Sequence, residues 1–159
     1  MILEKRAIAF FIDYFIMSIL GALTYLVTSD LILSMIIVYP LTMNKDFLNG
    51  KSIGKRISGI QVQDRDNHTA NEWICSLRNF LPIIPIDILF AIFSPSRRIG
   101  DRIVGTKIGI EVNYNIKSIR TELKNYRINK NLVFGLINGV LNIYVLFILS
   151  DQLLSVMGK

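Results

Sequence analysis

A single cysteine, Cys75, and a single histidine, His68, are the scarcest chemistry in this sequence. One thiol rules out an internal disulfide framework, and the pair leaves no cluster with zinc-ligand spacing. Neither residue supports a nucleophile-and-base assignment, so His68 is read as solvated in a polar turn and Cys75 as a small buried apolar residue. Charge is thin as well: 19% of residues are charged and 52% hydrophobic, against roughly 25% and 45–50% in an ordinary soluble domain. The string Gly50-Lys51-Ser52 invites a phosphate-loop reading, but that pattern needs a glycine where Lys45 stands. Secreted miniprotein, zinc protein and nucleotide hydrolase are set aside. No cofactor or metal is expected, nor is enzymatic activity.

What the sequence has instead is long apolar runs, with too little polar chain among its 159 residues to wrap them as a soluble core. Residues 7–27, AIAFFIDYFIMSILGALTYLV, match the ~20 residues that cross a bilayer as a helix. A signal peptide describes this run poorly, because it is too long, holds an internal acid and lacks a small-residue cleavage site. After the polar break at 28–30 comes a shorter run, 31–43, which contains Pro40. Extended through Phe47, it gives a second, kinked crossing. Residues 132–149 form a third. Segment 73–93 is different, being interrupted by Arg78, Pro82, Pro85 and Asp87.

Lysine and arginine collect in cytoplasmic loops close to membrane helices. Lys5 and Arg6 precede the first helix, and basic residues crowd both 44–72 and 94–131. This predicts a cytoplasmic N-terminus in the cell membrane, with both flanks of segment 73–93 inside. That segment then enters and returns, as a re-entrant or interfacial helical hairpin favoured over a full span. Its two arms of ~8 residues rise only about 12 Å each and turn at the prolines. Residues 57–63 and 103–112 alternate like strands, the first followed by turn residues 64–67, and predict a small cytoplasmic two-stranded element. Residues 116–127 read as a basic amphipathic helix on the anionic inner leaflet, or as a solvated linker helix.

The expected fold is thus an all-α integral membrane protein: three transmembrane helices, the hairpin and the two-stranded element. It is organised as a membrane domain over 1–112, a surface helix or linker over 113–131 and a C-terminal crossing over 132–159. The net charge of +6 is attributed to topology and lipid head groups; no nucleic-acid partner is expected. Asp13 is the first functional candidate, since an ionised carboxylate within the bilayer must be paired or hydrated. Arg6, on roughly the same helix face, is its candidate partner, either in a structural ion pair or in a proton or cation role. Asp101 reads as a cap, a loop salt bridge or a functional acid. Arg78 and Asp87, on opposite arms of the hairpin, form a second candidate pair. Gly135, Asn138, Gly139 and Asn142 share one helix face that combines close-approach glycines with two amides, and predict helix association within the chain or with a second protomer.

Taken together, Arg6, Asp13, the segment GKSIGKRISGIQV at 50–62, Arg78-Asn79 and FSPSRRIGDRIVGTKI at 93–108 resemble the RDD family of membrane proteins. That family is named for an arginine and two aspartates, which match Arg6, Asp13 and Asp101 here. The resemblance covers about residues 4–112 and carries G-x-x-x-G-K-R and R-x-G-D-x-x-x-G-T segments. It leaves the last helix outside, and Pro82, Pro85 and Asp87 depart from the apolar stretch usual in the family. Some members have been linked to exchange of sodium or potassium for protons, so the resemblance implies movement of a monovalent cation or proton. The residues themselves leave a rival open: a non-transporting assembly, accessory or immunity factor that binds a membrane protein or lipid. Either reading favours a homo-oligomer or a second membrane protein as partner.

Overall fold

The computed structural model describes residues 2–79, 97–111 and 118–157. The first apolar run forms α1, Ile2–Thr28, and the last forms the final helix, Lys130–Met157. Their 27 and 28 residues reach about 40 Å, more than the roughly 30 Å hydrocarbon core of a bilayer. Both are turned inside out relative to the core helices of a soluble protein, since only 11% and 22% of their most apolar stretches is buried. Phe11 and Phe15 on α1 are 71% and 69% exposed, while Asp13 between them is 4% exposed. That inversion is stable in an apolar medium, where aromatic faces need no cover and a carboxylate does.

Ser29, at φ 53°, breaks α1, and Asp30 then caps α2, Leu31–Met43, by accepting from the N–H groups of Ile32 and Leu33 at 2.8 and 3.1 Å. α2 does not run on through Phe47 as expected. It stops at Asn44, whose side-chain amide donates to the carbonyls of Pro40 and Gly135, and the chain turns through 44–50. Its 13 residues rise about 20 Å, so two helices among the described residues are long and apolar enough to cross a membrane. The expected hairpin turn, with Pro82, Pro85 and Asp87, lies outside the described residues.

Between the long helices the chain builds a small polar layer. It comprises α3 (Ile53–Ser58), β1 (Ile60–Gln63), α4 (Glu72–Arg78), α5 (Ile99–Val104), β2 (Lys107–Ile110) and α6 (Ser118–Asn125). β1 and β2 pair antiparallel, with Ile60 opposite Ile110 and Val62 opposite Ile108, as the two-stranded element expected. Both strands are shorter than their alternating runs. Ile57 and Ser58 belong to α3, which is capped by Ser52 and ended by Gly59 at φ 63°; Ile103 and Val104 belong to α5, ended by Gly105 at φ 75°. Caps outrank a four-residue alternation, because each satisfies helix-end groups that the strand would leave open. Ile60, Val62, Ile108, Ala70 and Cys75 form the buried cluster under the sheet.

The final helix, α7, packs within the chain through the face singled out in the sequence. The Asn138 amide donates to the Ser76 hydroxyl at 3.1 Å, Ser76 donates to the Gly135 carbonyl at 3.1 Å, and the Tyr39 hydroxyl donates to Asn142 at 3.1 Å. Gly139 lies against Pro40, where a β-carbon would come within 2.8 Å. The amides are thus satisfied by α2 and α4, and this face is occupied without a second protomer.

Candidate functional site

The site grows from Asp13. Its carboxylate accepts from the Ser52 hydroxyl at 2.6 Å and the Gly54 backbone N–H at 2.8 Å, and lies 3.4 Å from the Lys45 ammonium. Ser52 also caps α3 by accepting from Lys55 N–H, so one hydroxyl ties the start of α3 to α1. Lys45 sits over the ring of Tyr14, one residue beyond Asp13, 4.9 Å from its centroid. The G-x-x-x-G spacing of 50–54 has a packing cause here. A β-carbon on Gly54 would collide with the Ala9 carbonyl and the Asp13 carboxylate, so only glycine lets α3 reach α1. Replacing Gly54 with alanine is expected to lower stability by about 1–3 kcal/mol, because the obstruction is backbone that cannot swing away. Unfolding in detergent tests this, and an unchanged midpoint would mean that the two helices part at no cost.

Beside this clamp runs a chain of buried ion pairs. The Lys55 ammonium pairs with Asp46, the Arg78 guanidinium joins Asp46 at 3.0 Å to Asp101, and Arg6 approaches Asp101 at 3.9 Å. Asp46 and Asp101 are fully buried, Arg78 is 3% exposed and Lys55 7%. Asp101 also accepts from Arg98 N–H at 2.9 Å, closing the first turn of α5, and from the Thr106 hydroxyl at 3.0 Å. It is therefore a cap and an ion-pair partner at once.

Burial alone would raise the Asp46 and Asp101 carboxyls. The Lys55, Arg78 and Lys45 charges around Asp46, and Arg78 and Arg98 around Asp101, outweigh it and hold both well below the usual carboxylate range. For Lys55 burial acts first and downward, Asp46 opposes it, and nearby Arg78 and Lys45 add repulsion. Its ammonium is held down at about 8. Among the described residues, ion pairs thus link Asp13, Asp46 and Asp101 to Arg6, Lys45, Lys55 and Arg78.

The structure redistributes several expected partners. Arg6 reaches Asp101, while Asp13 is held by Ser52, Gly54 and Lys45. Arg78 serves Asp101 and Asp46; Asp87 lies outside the described residues. Lys51, Lys55 and Arg56 are buried against Glu111, Asp46 and Glu122, correcting their reading as basic residues displayed for lipid head groups. Helix α6 spans 118–125, and its Glu122 lies 2.8 Å from Arg56 and 3.8 Å from Lys51, so its acid faces the protein. His68 is solvated as read, its side chain 80% exposed. Asp46 and Lys55 were not singled out in the sequence, although Lys55 lies inside the G-x-x-x-G-K-R segment. Asp46 carries no local signal beyond being an acid just past an apolar run.

Long apolar helices with exposed apolar faces, joined to a buried ion-pair cluster at their loop ends, define a small membrane protein. The RDD family model matches residues 3–154, and the chain belongs to the RDD family. The match includes α7, which the sequence motifs, ending near 112, had left outside. No curated protein and no solved structure is similar enough to this chain to count as a match.

Proposed function

We propose that this protein moves a monovalent cation or a proton across the cell membrane, as an oligomer, with its N-terminus cytoplasmic and α2 completing three crossings with α1 and α7. The observation that carries this reading is the buried ion-pair cluster, in which burial works against the pairing of Lys55 with Asp46 and holds that ammonium near physiological pH. A monovalent cation approaching Asp46 competes with the Lys55 ammonium for the same carboxylate. Loading the cation and releasing the proton then favour each other, which is the elementary requirement of exchange. Asp13 supplies the carboxylate deepest along α1, while Arg6 and Asp101 together guard the loop-side mouth.

The rival reading, an interaction factor without transport, drew on the amide-bearing face of α7 and on the basic surface helix. The first is engaged inside the chain by α2 and α4, whereas the surface helix touches the protein through Glu122, has no buried residue and keeps Arg120 and Lys124 exposed. The test is proton flux in liposomes under a pH gradient, with sodium, potassium and lithium added in turn. Asp13→Asn keeps an oxygen for Gly54 but loses the charge. It is expected to lose roughly tenfold or more of the flux, the rate equivalent of one charged hydrogen-bond partner. Equal flux in a folded variant removes Asp13 from the mechanism, and no flux in the folded parent protein turns the reading to interaction.

A further inference from the structure

A cavity of about 400 Å³ opens between α1, α2, α3 and α7, within the size range of ligand pockets. Its wall changes character along its length. At one end stand Asp13, Asn44, Lys45 and Ser52; along α1 the wall continues through Ile16, Met17 and Leu20, faced by Leu41 of α2 and Leu136 of α7. From Asp13 to Leu20 the helix rises about 10 Å, so the apolar part extends into the bundle away from the loops, and the polar part lies at the loop end. Lys45 is the only cation on this wall among the described residues. Its one ion pair, with Asp13, is 3.4 Å long, while Asp13 holds two shorter hydrogen bonds from Ser52 and Gly54. The carboxylate is thus satisfied largely without Lys45, and the ammonium retains donors for a second anion.

We propose that this cavity is a lipid site, holding one acyl chain of an anionic phospholipid with its phosphate beside Lys45. The polarity gradient runs the way a lipid does, charge at the interface and hydrocarbon toward the bilayer middle. The sign of Lys45 selects an anionic head over a zwitterionic one. A free fatty acid offers the same combination of one chain and one anion, and is the control that tells the phosphodiester from a simple carboxylate. The site shares Asp13 with the proposed transport pathway, but lipid binding is read from a stability shift that requires no ion movement, so the two can fail separately.

The experiment is thermal unfolding of the purified full chain in a neutral detergent, titrated separately with phosphatidylglycerol, phosphatidylcholine and oleate. A ligand of the folded state raises the midpoint with the logarithm of its concentration once that exceeds its dissociation constant. Phosphatidylglycerol is expected to give the same shift at roughly one-fifth the concentration of phosphatidylcholine, the preference that one basic residue confers near an anionic head. Lys45→Gln should abolish that preference while retaining a response to both lipids. Leu20→Trp, which fills the apolar end, should lose both responses, whereas Val27→Trp, at the exposed far end of α1, should behave as the parent. Oleate matching phosphatidylglycerol supports a site for one chain and one anion, and a weaker response supports recognition of the phosphodiester. Equal response of the parent to phosphatidylglycerol and phosphatidylcholine, or an anionic preference that survives both Lys45→Gln and Leu20→Trp, would overturn the proposal.

Discussion

Arg78→Met is expected to destabilise the protein by about 3–5 kcal/mol, among the largest effects of any single substitution here. Methionine keeps the apolar stem of the side chain, so the loss is chiefly that of the guanidinium. Arg78 bridges two carboxylates that are both fully buried, and its removal strands charge on each. Asp46 keeps Lys55, and Asp101 keeps the backbone N–H of Arg98 and the more distant Arg6 at 3.9 Å, but among the described residues neither acid keeps a guanidinium in direct hydrogen-bond contact. Arg78→Lys should recover only part of the loss, because one ammonium cannot donate in the forked geometry that spans both acids. The pH dependence supplies a second readout. Both carboxyls are depressed below their ordinary value of 3.8, so the stability they contribute is present above that pH and lost as pH falls below it. Without Arg78 the depression shrinks, and acid unfolding should begin at higher pH. Denaturant melts in detergent at several pH values measure both effects; a loss under about 1 kcal/mol would mean that water replaces the guanidinium.

Lys55→Met is expected to erase a pH step near 8. In the parent protein the ammonium is held at about 8, against an ordinary 10.5. Between those values the unfolded chain keeps the proton and the folded chain sheds it. The contribution of Lys55 to stability therefore rises with pH across that window, by on the order of 1–3 kcal/mol. Below pH 8 both states are protonated and the step is absent. The variant should lose that rise and keep the fall above about pH 9 contributed by the buried Cys75 thiol, which burial pushes up to about 12 from an ordinary 9.0. The same residue gives the proposed transport its own signature, a flux that changes with an apparent pKa near 8 and loses that inflection in Lys55→Met. A stability step retained in the variant would assign the titration to another group. A stability step that vanishes while the flux profile stays intact would leave Lys55 a structural cation and detach it from transport.

Much of the architecture follows from local sequence. The runs at 7–27 and 132–149 have the length and composition of bilayer-crossing helices, and the structure extends both as long apolar helices. The alternating segments around 60–63 and 107–110 pair as expected. Their ends were illegible by alternation, because over a few residues Ile57-Ser58 and Ile103-Val104 fit a helix end as well as a strand. Ser52, Gly59 and Gly105 settle those ends through capping hydrogen bonds and left-handed backbone at the two glycines. The stop of α2 at Asn44 was harder still, since one of its two carbonyl partners, Gly135, comes from a distant helix.

The charged site divides along the same line. Sequence alone determined that Asp13 lies within an apolar helix and must find a partner, that Arg6, Arg78 and Asp101 are the conspicuous charges, and that one face of the last helix carries amides in need of hydrogen bonds. These follow from helix period and desolvation, which act within a single segment. Only tertiary structure decided who the partners are. Arg6 met Asp101 instead of Asp13, Arg78 met Asp101 and Asp46, and the amides met Ser76 and Tyr39 instead of a second protomer. The physical reason is that a buried charge requires any counter-charge within a few ångströms, and several candidates of the right sign stand far apart in the chain. The fold, by bringing α3, α4 and α5 to the loop end of α1, selects among them.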